Sequence, residues 1–406
     1  MKDILYFGTV CDIAGYDRLL SDCKNKPSVA PIVFESALLG GLAKNGCRAE
    51  VYSFPMIPTF PSFRLLYFGG QTEALACGVS GRWLRTLNLP VLKQLTRRAD
   101  AAGVLKHWGK VHPGGIVVTY SVPPFMAEDV MRYAEKYSLV TVAIIPDLPR
   151  DMYINEKNGA LAGKLKQMYL RSALEAQGKY DGYIYLTEAM HSVVAPDKPY
   201  IVMEGIADTS GVTRRHAGEK SRPAAVMYAG MLHEKYGILN LVDAFSELSR
   251  ENDGVELWLF GDGTAVEEIK KRSAVNKKIR YFGTVARSEI LEYEKKATLL
   301  VNPRDPHEEF TKYSFPSKTT EYMLSGTPLL TTRLGGIPDE YMKYVFSADD
   351  NSVKSLLAAM RNALSHSSDE LLRIGAEAQD FIVREKGPLN QGKKIKNFLS
   401  EVKKWN

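Results

Sequence analysis

Short apolar runs alternate along the chain with stretches in which apolar residues recur at helical spacing. In the first half the runs are DILYFG, AEVYSF, GIVVTY, LVTVAII, YDGYIYL and YIVMEG. Helical stretches lie between them at 33–45, 126–137 and 161–178. Strands that alternate with helices are typical of a parallel sheet flanked by helices.

The pattern stops at a linker and then restarts. Residues 208–223 are polar and charged and have no apolar period, as is typical of a domain boundary. The second half continues with the runs AAVMYAG, VELWLFG, KIRYFG, ATLLVNP and TPLLTT. A chain of 406 residues is also longer than one hydrophobic core normally supports. We therefore predict two doubly wound α/β domains, 1–207 and 224–388, and a lysine-rich helix, 389–406, that packs back on the first domain.

Composition favours a globular protein of a reducing compartment. Apolar residues make up 45% and charged residues 25% of the chain, close to the globular average. The four cysteines, Cys11, Cys23, Cys47 and Cys77, lack the spacing of a zinc site or a redox motif. The first residues do not resemble a signal peptide, and no run reaches the roughly 18 apolar residues of a membrane span. We expect a protein that is cytosolic or peripheral at the inner face of the membrane.

The net charge of +6 is concentrated in the segment 60–110. This segment carries eight basic and two acidic residues, with Trp83 and several leucines between them. Two interpretations stay open. The segment can lie on an anionic membrane surface, or it can form a pair of amphipathic helices whose lysines and arginines are solvated. No nucleic-acid-binding motif accompanies the charge, so nucleic acid is not expected as a partner.

The stretch FPSKTTEYMLSGTP predicts a helix that begins at a ligand-binding edge. Pro316 suits the first turn of a helix, and the Gly-Thr-Pro sequence at 326–328 suits its end. Ligands bind beyond the carboxyl ends of parallel strands, so the free amides of Ser317 and Lys318 are expected to bind a diphosphate. Glu321 can lean back toward the same helix end, where a carboxylate can accept hydrogen bonds from ribose hydroxyls.

Two further turns carry candidate chemistry. Lys235 lies just before a helix in the turn after the run VMYAG, where a cation suits a bound anion, although an ordinary surface lysine fits the same pattern. The pentapeptide YFGTV occurs twice, at 6–10 and 281–285. We interpret both copies as tight strand exits whose glycines, Gly8 and Gly283, need tolerance of a positive φ. Neither a P-loop motif nor GxGxxG accompanies these residues.

Four pieces of the second half occur together in the order and spacing of a known family. They are YAGMLHEKYGI at 228–238, VELWLFGDG at 255–263, KIRYFGTVARSEI at 278–290, and VNPRDP with FPSKTTEYMLSGTPLLTT within 301–332. Through them the chain resembles the donor-binding domain of retaining glycosyltransferases of the GT-B fold, family 4 in particular, of the polysaccharide-assembly type. The first half of the chain matches this family only loosely.

The resemblance implies a fold, a reaction and a set of site residues. Two Rossmann-like domains would face each other across a cleft, and a nucleotide-sugar, in most cases a UDP-sugar, would bind the second domain without a metal ion. The sugar would pass with retention to a hydroxyl group of a saccharide or lipid-linked saccharide. The donor-contacting residues implied are Gly8, Gly230, Gly283, Thr284, Val285, Tyr313, Phe315, Pro316, Ser317, Lys318 and Glu321.

Roles follow from the same resemblance. Glu321 would bind ribose, the amides of Ser317 and Lys318 would meet the β-phosphate, and Gly283–Val285 would border the nucleobase. The expected catalytic residues are Lys235, Lys318 and Asp147. The two lysines would neutralise the negative charge that develops on the leaving diphosphate.

Three positions depart from the family's pattern. Tyr313 stands where the family has the first glutamate of its Glu-x7-Glu motif, and Met231 stands where an arginine often occurs. Pro146 and Asp147 stand where many members place a histidine beside the reacting sugar. Two other interpretations of the chain therefore stay open: a nucleotide-sugar epimerase of the same fold, and a catalytically inactive scaffold docked on a membrane.

Overall fold

The structure, a computed structural model, describes residues 4–21, 23, 27–75, 78–148, 171, 174–209, 212 and 220–405. The chain divides into two compact units. Unit 1 is Met1–Asp208 with Gly387–Asn406, and unit 2 is Thr209–Lys386. Most of the helix predicted at 161–178 lies outside the described residues, as do Cys77 and much of the predicted linker.

Unit 1 is built on a mainly parallel sheet. Its described elements up to residue 202 are β1 (Ile4–Gly8), α1 (Ile13–Leu19), α2 (Ala30–Lys44), β2 (Ala49–Ser53), β3 (Tyr67–Phe68), β4 (Thr72–Ala74), β5 (Ser80–Trp83), β6 (Thr86–Leu87), α3 (Leu92–Val111), β7 (Ile116–Tyr120), α4 (Pro124–Tyr137), β8 (Val140–Ile145), β9 (Gly182–Tyr185), α5 (Ala189–Val194) and β10 (Tyr200–Val202). Among the described residues the main sheet has eight strands in the order β10-β9-β8-β7-β1-β2-β5-β4. Each of the six apolar runs of the first half contains one of its parallel strands. Every residue of β1, β7 and β8 is buried, as expected of strands covered on both faces.

The basic segment does not form the expected pair of helices. Its described residues contain one helix, α3, preceded by the short strands β3 to β6, of which β3 pairs antiparallel with β6 and β4 with β5. Gly69 and Gly70 have φ values of 103° and 84°, which a helix excludes. A Cβ atom on Gly69 would also overlap the Leu84 carbonyl group. The interpretation of 60–110 as two helices is therefore wrong.

The basic residues of this segment are also not all solvated. Lys93 and Arg97 are only 8% and 5% exposed. Lys93 Nζ donates to the carbonyl oxygen of Ile57, and Arg97 Nη2 donates to that of Pro55 at 3.0 Å. Burial lowers the pKa of Lys93 to about 8 and that of Arg97 to about 10. These two side chains hold the loop at 55–59 from inside the protein and are not part of a solvated basic face.

Unit 2 is a second parallel sheet with helices on both faces. Its elements are β11 (Ala224–Ala229), a 3₁₀ helix (Glu234–Tyr236), α6 (Ile238–Glu251), β12 (Val255–Phe260), α7 (Val266–Val275), β13 (Ile279–Gly283), α8 (Arg287–Lys296), β14 (Leu299–Asn302), α9 (Phe310–Tyr313), α10 (Ser317–Leu324), β15 (Leu329–Thr332), a second 3₁₀ helix (Asp339–Tyr344), β16 (Phe346–Ala348), α11 (Val353–Leu364) and α12 (Ser368–Glu385). The described strands follow the order β13-β12-β11-β14-β15-β16, and all pairs are parallel.

The two faces of this sheet have different partners. On one face, side chains such as Val226 and Leu257 form a buried cluster with α6 and α11. On the other face, the rings of Trp258 and Phe260 contact Tyr293 of α8, with centroids 5.6 and 4.8 Å apart. Both units therefore have the predicted α/β architecture of doubly wound parallel sheets.

The last helix, α13 (Pro388–Trp405), belongs to unit 1. Its apolar face, which includes Phe398 and Val402, joins the buried cluster formed by β1, β7 and α2. Backbone meets backbone where it crosses α2, because a Cβ atom on Gly392 would overlap Gly41. None of the described helices, α13 included, is long and apolar enough to cross a membrane.

Candidate functional site

The exits of the central strands of unit 2 are tied to one another. Gly230 N donates to the Phe260 carbonyl oxygen at 3.0 Å, and Gly261 N donates to that of Gly283 at 2.8 Å. A Cβ atom on Gly261 would overlap the Gly230 carbonyl oxygen, so a side chain there would separate the two loops. Gly230, Gly261 and Gly283 therefore form a closely packed floor of backbone at the carboxyl edge of the sheet, which is where ligands bind in this architecture.

The helix α10 opens toward this edge. Pro316 is its N-cap, one position earlier than the predicted first turn, and Phe315 is buried with its ring 5.6 Å from that of Tyr341. Thr319 N donates to the Pro316 carbonyl oxygen at 2.8 Å. Helix geometry leaves the preceding amides, of Ser317 and Lys318, without an acceptor in the helix. These amides and the helix dipole suit an anion.

Glu321 lies between two cations next to this helix end. Its Oε2 is 3.0 Å from Arg287 Nη2, and its Oε1 is 3.6 Å from Lys318 Nζ. Burial opposes ionisation of this carboxyl group, but Lys318 and Arg287 outweigh it and hold the pKa of Glu321 below its ordinary value. A carboxylate that stays ionised and is partly exposed can accept hydrogen bonds from sugar hydroxyls.

Lys318 is brought against the floor of glycines. A Cβ atom on Gly230 would lie 2.7 Å from Lys318 Cε, so the lysine stem lies directly on this glycine. The ammonium group is 5.6 Å from the centre of the Tyr322 ring. Tyr322 in turn accepts a hydrogen bond from Ala229 N at 2.9 Å and donates to the Ala229 carbonyl oxygen at 3.1 Å. The predicted residues Gly230, Lys318 and Glu321 are thus neighbours, and Tyr322 ties their helix to β11.

The turn after β13 borders the same edge. Gly283 has a φ of 71°, as expected, and a Cβ atom on it would meet nothing within 4 Å. Thr284 is exposed and Val285 is half-buried. Beneath the turn, the Phe282 ring stacks on that of Phe260 with centroids 4.5 Å apart. A rigid aromatic base therefore supports an open loop, which suits contact with a flat ring.

Lys235 and Arg304 both contact the ring of Tyr236, and the sequence analysis did not predict Arg304. Lys235 is exposed on the 3₁₀ helix Glu234–Tyr236, with Nζ 5.2 Å from the centre of the Tyr236 ring. Arg304 Cζ lies 5.0 Å from the same ring centre. Gly237, with a φ of 76°, brings this turn against the Pro303 backbone. The two cations therefore flank one tyrosine at the exits of β11 and β14.

Tyr313, the residue that replaces the family's first glutamate, ends α9 and is half-buried. The chain directly after it packs closely on the turn that follows β15, because a Cβ atom on Gly336 would lie 2.5 Å from the Ser314 carbonyl oxygen. The segment between Tyr313 and α10 is thus held against the turn that follows β15. Its role at the sugar ring stays a prediction.

Gly8 and Asp147 belong to unit 1 and are described within that unit. Asp147 is exposed just beyond β8, and its charge is one cause, after burial and the Glu35 carboxyl group, of a raised pKa at Tyr120. Gly8 does not have a positive φ, so that reason for its occurrence is wrong. A Cβ atom on Gly8 would instead overlap Glu35 Oε2, and this close approach requires glycine.

Four charged residues beside these sites are absent from the sequence prediction: Glu35, Arg287, Glu294 and Arg304. A signal was present for the two acids, since each lies on the apolar stripe of its helix. Glu294 follows Ile290 at a spacing of four residues on α8, and Glu35 follows Ile32 at a spacing of three on α2. In the part of the chain that the structure describes, no three His, Cys, Asp or Glu side chains form a group that could hold a metal ion.

Part of the chain is similar to known sequences. Residues 223–366 match the sequence model of a family described as glycosyl transferases group 1. The chain is also similar to glycogen synthase of Mycobacterium tuberculosis, with 27% identity over 150 residues, which is 36% of this chain and 35% of that protein. The match thus spans about a third of the length of the curated relatives.

Comparison with solved structures extends over nearly the whole chain. Sucrose-phosphate synthase from Thermosynechococcus elongatus is similar with a TM-score of 0.64 and 14% identity, over 98% of this chain and 100% of that chain. The HepE protein of Anabaena in complex with UDP-glucose is similar with a TM-score of 0.62 and 15% identity, over 98% and 100%. The lipopolysaccharide outer core galactosyltransferase WaaB gives a TM-score of 0.61 and 13% identity, over 99% of each chain. At these identities the likeness establishes the fold, which is that of GT-B glycosyltransferases.

Proposed function

We propose that this protein is a glycosyltransferase that moves a sugar from a nucleoside diphosphate sugar to a hydroxyl group of an acceptor. The observation that carries the proposal is the cluster of Lys318, Glu321 and Arg287 at the open end of α10. It lies within the segment that matches group 1 glycosyl transferases. A helix start with a lysine suits a diphosphate, and an ionised carboxylate one turn further suits ribose hydroxyls, so the two halves of a nucleotide meet complementary groups.

The proposed reaction uses these charges where charge develops. Cleavage of the bond between the anomeric carbon and the diphosphate oxygen leaves negative charge on the β-phosphate, which Lys318 and the amides at the start of α10 stabilise. Lys235 and Arg304 supply further positive charge. The acceptor hydroxyl attacks the anomeric carbon on the face from which the diphosphate leaves, a β-phosphate oxygen takes its proton, and configuration is retained. Asp147 is the proposed catalytic residue of unit 1.

A UDP-sugar is the proposed donor, and no metal ion is required in this proposal. HepE of Anabaena was crystallised with UDP and with UDP-glucose, which supports a uridine nucleotide on the same fold. The cations Lys318, Lys235 and Arg304 would provide the positive charge that a divalent ion provides in other transferases. Binding in the presence of a chelator tests this point directly.

The acceptor is proposed to be a saccharide or lipid-linked saccharide, reached from a membrane surface. Unit 1 exposes apolar side chains on two segments, one that begins just before the basic region and one within it; they are Met56, Phe60, Leu65, Leu66, Tyr67, Val91, Leu92 and Leu95. The segments are joined by Asn88, whose Nδ2 donates to the carbonyl oxygens of Pro58 and Leu65 at 3.1 and 3.0 Å. An exposed apolar patch with Arg64 beside it suits the interface of an anionic bilayer. The protein would then be peripheral at the inner face of the membrane.

Calorimetric titration with nucleoside diphosphates and their sugars, with a chelator present, tests the central proposal. We expect one base to bind and Glu321→Ala to weaken binding by about 1.5–3 kcal/mol, the usual range for a hydrogen bond to a charged group. Glu289→Ala, an exposed glutamate on α8, is the matched control. Conversion of the sugar without release of free nucleoside diphosphate would indicate an epimerase. Silence of the wild-type protein across the panel would favour an inactive scaffold.

Flotation with vesicles tests the membrane contact. The protein should float with vesicles that contain anionic lipid. The double substitution Leu65→Asp with Leu66→Asp should abolish flotation, because it removes apolar side chains that would be buried and adds carboxylates that anionic lipid repels. Val275→Asp is the control, since Val275 is an exposed apolar residue of unit 2. Equal flotation of the double variant would refute this assignment.

A further inference from the structure

The helix α8 buries a carboxyl group that the proposed reaction does not use. Glu294 is 0% exposed, although glutamate is almost never fully buried unless it is paired. Its neighbour in the chain, Tyr293, joins the aromatic rings beneath the β13 turn. The helix is thus held tightly against the sheet, and the carboxyl group of Glu294 has no access to solvent.

Among the described residues, no N–H or O–H group donates a hydrogen bond to Oε1 or Oε2 of Glu294. The Thr327 hydroxyl that bonds to Glu294 reaches its backbone carbonyl oxygen, at 2.7 Å, and not its side chain. A buried charge without a partner costs several kcal/mol, so the group is expected to give up its charge instead. An acceptor that is protonated becomes a donor and then needs an acceptor of its own.

The groups that face Glu294 supply that acceptor. They are Arg287 of its own helix and Lys318, Glu321 and Tyr322 of α10. Both cations are engaged by Glu321, and the Tyr322 hydroxyl donates to the Ala229 carbonyl oxygen at 3.1 Å. The remaining neighbour is the Glu321 carboxyl group itself, which is within hydrogen-bond reach of Glu294.

We propose that Glu294 is a positioning residue, held as a neutral carboxylic acid whose hydroxyl group donates a hydrogen bond to the Glu321 carboxylate and fixes its orientation. Two carboxylates in contact cannot both stay ionised, so one proton serves the pair. The electrostatics of the pair agree: burial and then the Glu321 charge raise the pKa of Glu294 well above its ordinary value, whereas that of Glu321 is lowered. The consequence for ribose binding rests on the proposed function, but the shared proton does not.

Infrared spectroscopy of the protein without nucleotide tests the proton. At neutral pH the difference spectrum of wild type minus Glu294→Gln should contain the carbonyl stretch of a protonated carboxyl group. Burial also raises the pKa of Glu35, to about 7, so Glu35 should contribute a similar band to both spectra, and the subtraction removes it. Glu289→Gln makes the same change on the exposed face of α8 and should leave the spectrum unchanged. Absence of the band from the Glu294 difference spectrum would overturn the proposal.

Titration with UDP between neutral and alkaline pH tests the positioning role. Wild-type affinity should fall, relative to Glu294→Gln, as Glu294 ionises and repels Glu321. The glutamine keeps a hydrogen-bond donor that does not titrate, so it should match wild type at neutral pH. Glu294→Leu removes the donor and should weaken UDP about tenfold, equivalent to about 1.4 kcal/mol. Parallel pH profiles of wild type and Glu294→Gln would overturn the role.

The two experiments separate this inference from the proposed function. If the infrared band is present and UDP does not bind the wild-type protein, the proposed function fails and the shared proton stands. If UDP binds and the band is absent, the function stands and the inference fails. Thermal unfolding of each variant shows whether it is folded. Should Glu294→Leu not fold, the band and the glutamine profile still decide.

Discussion

Gly8 lies directly over the carboxyl group of Glu35, so closely that a Cβ atom on Gly8 would overlap Glu35 Oε2. Around this contact, Thr9 N donates to both carboxylate oxygens of Glu35 at 2.9 and 3.0 Å, and Tyr6 Oη donates to Oε2 at 2.8 Å. The Thr9 hydroxyl donates to Oε1 as well. The carboxyl group of Glu35, on α2, thus fixes the end of β1, and β1 has glycine at position 8 because that carboxyl group leaves no room for a side chain.

The buried Glu35 should make stability depend on pH. Burial raises its pKa from 4.5 to about 7, although hydrogen bonds from Thr9 and Tyr6 oppose the shift. The folded protein therefore binds a proton more tightly than the unfolded chain, so this contribution is full below about pH 4.5 and is lost as pH rises through 7. At about 1.4 kcal/mol per pKa unit, the loss is about 3 kcal/mol. Urea unfolding of wild type and Glu35→Gln, repeated at several pH values in this range, measures the loss. If the free energy of unfolding depended on pH equally in the two proteins, the prediction would be contradicted.

Gly8→Ala should destabilise unit 1 by about 1–3 kcal/mol, the range for overpacking a rigid site. The added methyl group has to displace Glu35 and break its bonds to Thr9. Gly103→Ala is the matched control, because Gly103 lies within α3 and a Cβ atom there meets nothing within 4 Å. That control should stabilise the helix by about 0.5–1 kcal/mol. Thermal unfolding of both variants tests the contrast, and a Gly8→Ala protein as stable as wild type would show that the contact is loose.

Lys318→Met should separate phosphate recognition from base recognition. The substitution keeps the stem against Gly230 but removes the ammonium group, so UDP should bind more weakly by about 1.5–3 kcal/mol. Uridine has no phosphate and should bind both proteins equally. Lys270→Met removes an exposed ammonium group of α7 that pairs with Glu267 at 2.8 Å, and it should change neither affinity. Calorimetry with both ligands gives the answer, and an equal loss for uridine would place Lys318 at the nucleoside.

Arg287→Met should shift the acidic limb of UDP binding. With Arg287 present, the pKa of Glu321 lies below its ordinary value, so the carboxylate persists at mildly acidic pH. Without Arg287 that pKa should rise, and affinity should begin to fall at a higher pH as the solution is acidified. Arg361→Met, which removes a surface arginine paired with Glu251, is the control. Superimposable profiles for wild type and Arg287→Met would remove Arg287 from the site.

The apolar runs were sufficient to locate the parallel strands. A strand buried on both faces is a continuous apolar run, which can be recognised in the sequence without knowledge of the strands it pairs with. The strands β3 to β6 were missed for the opposite reason. They have two to four residues each, too few for a period to show. Their glycine-rich turns were present in the sequence but were outweighed by the basic and apolar composition of the segment.

The same distinction applies to the site in unit 2. The start of α10 is encoded locally by Pro316, so Lys318 and Glu321 could be placed on one helix end in advance. Arg287 reaches Glu321 across 34 residues of sequence, and Glu294 meets it only because α8 packs beside α10. Whether a buried acid is charged depends on such contacts, which no local pattern contains.

The helix α13 completes unit 1 but follows all of unit 2 in the chain. During translation, the strands and helices of unit 1 leave the ribosome first, yet the surface of α2 that α13 covers stays exposed until Pro388–Trp405 has been made. Unit 2 is contiguous and can fold as soon as it emerges. The part of the protein that is synthesised first is therefore the part that is finished last. A premature stop codon just after unit 2 would remove α13 and so damage unit 1, although it would leave unit 2 intact.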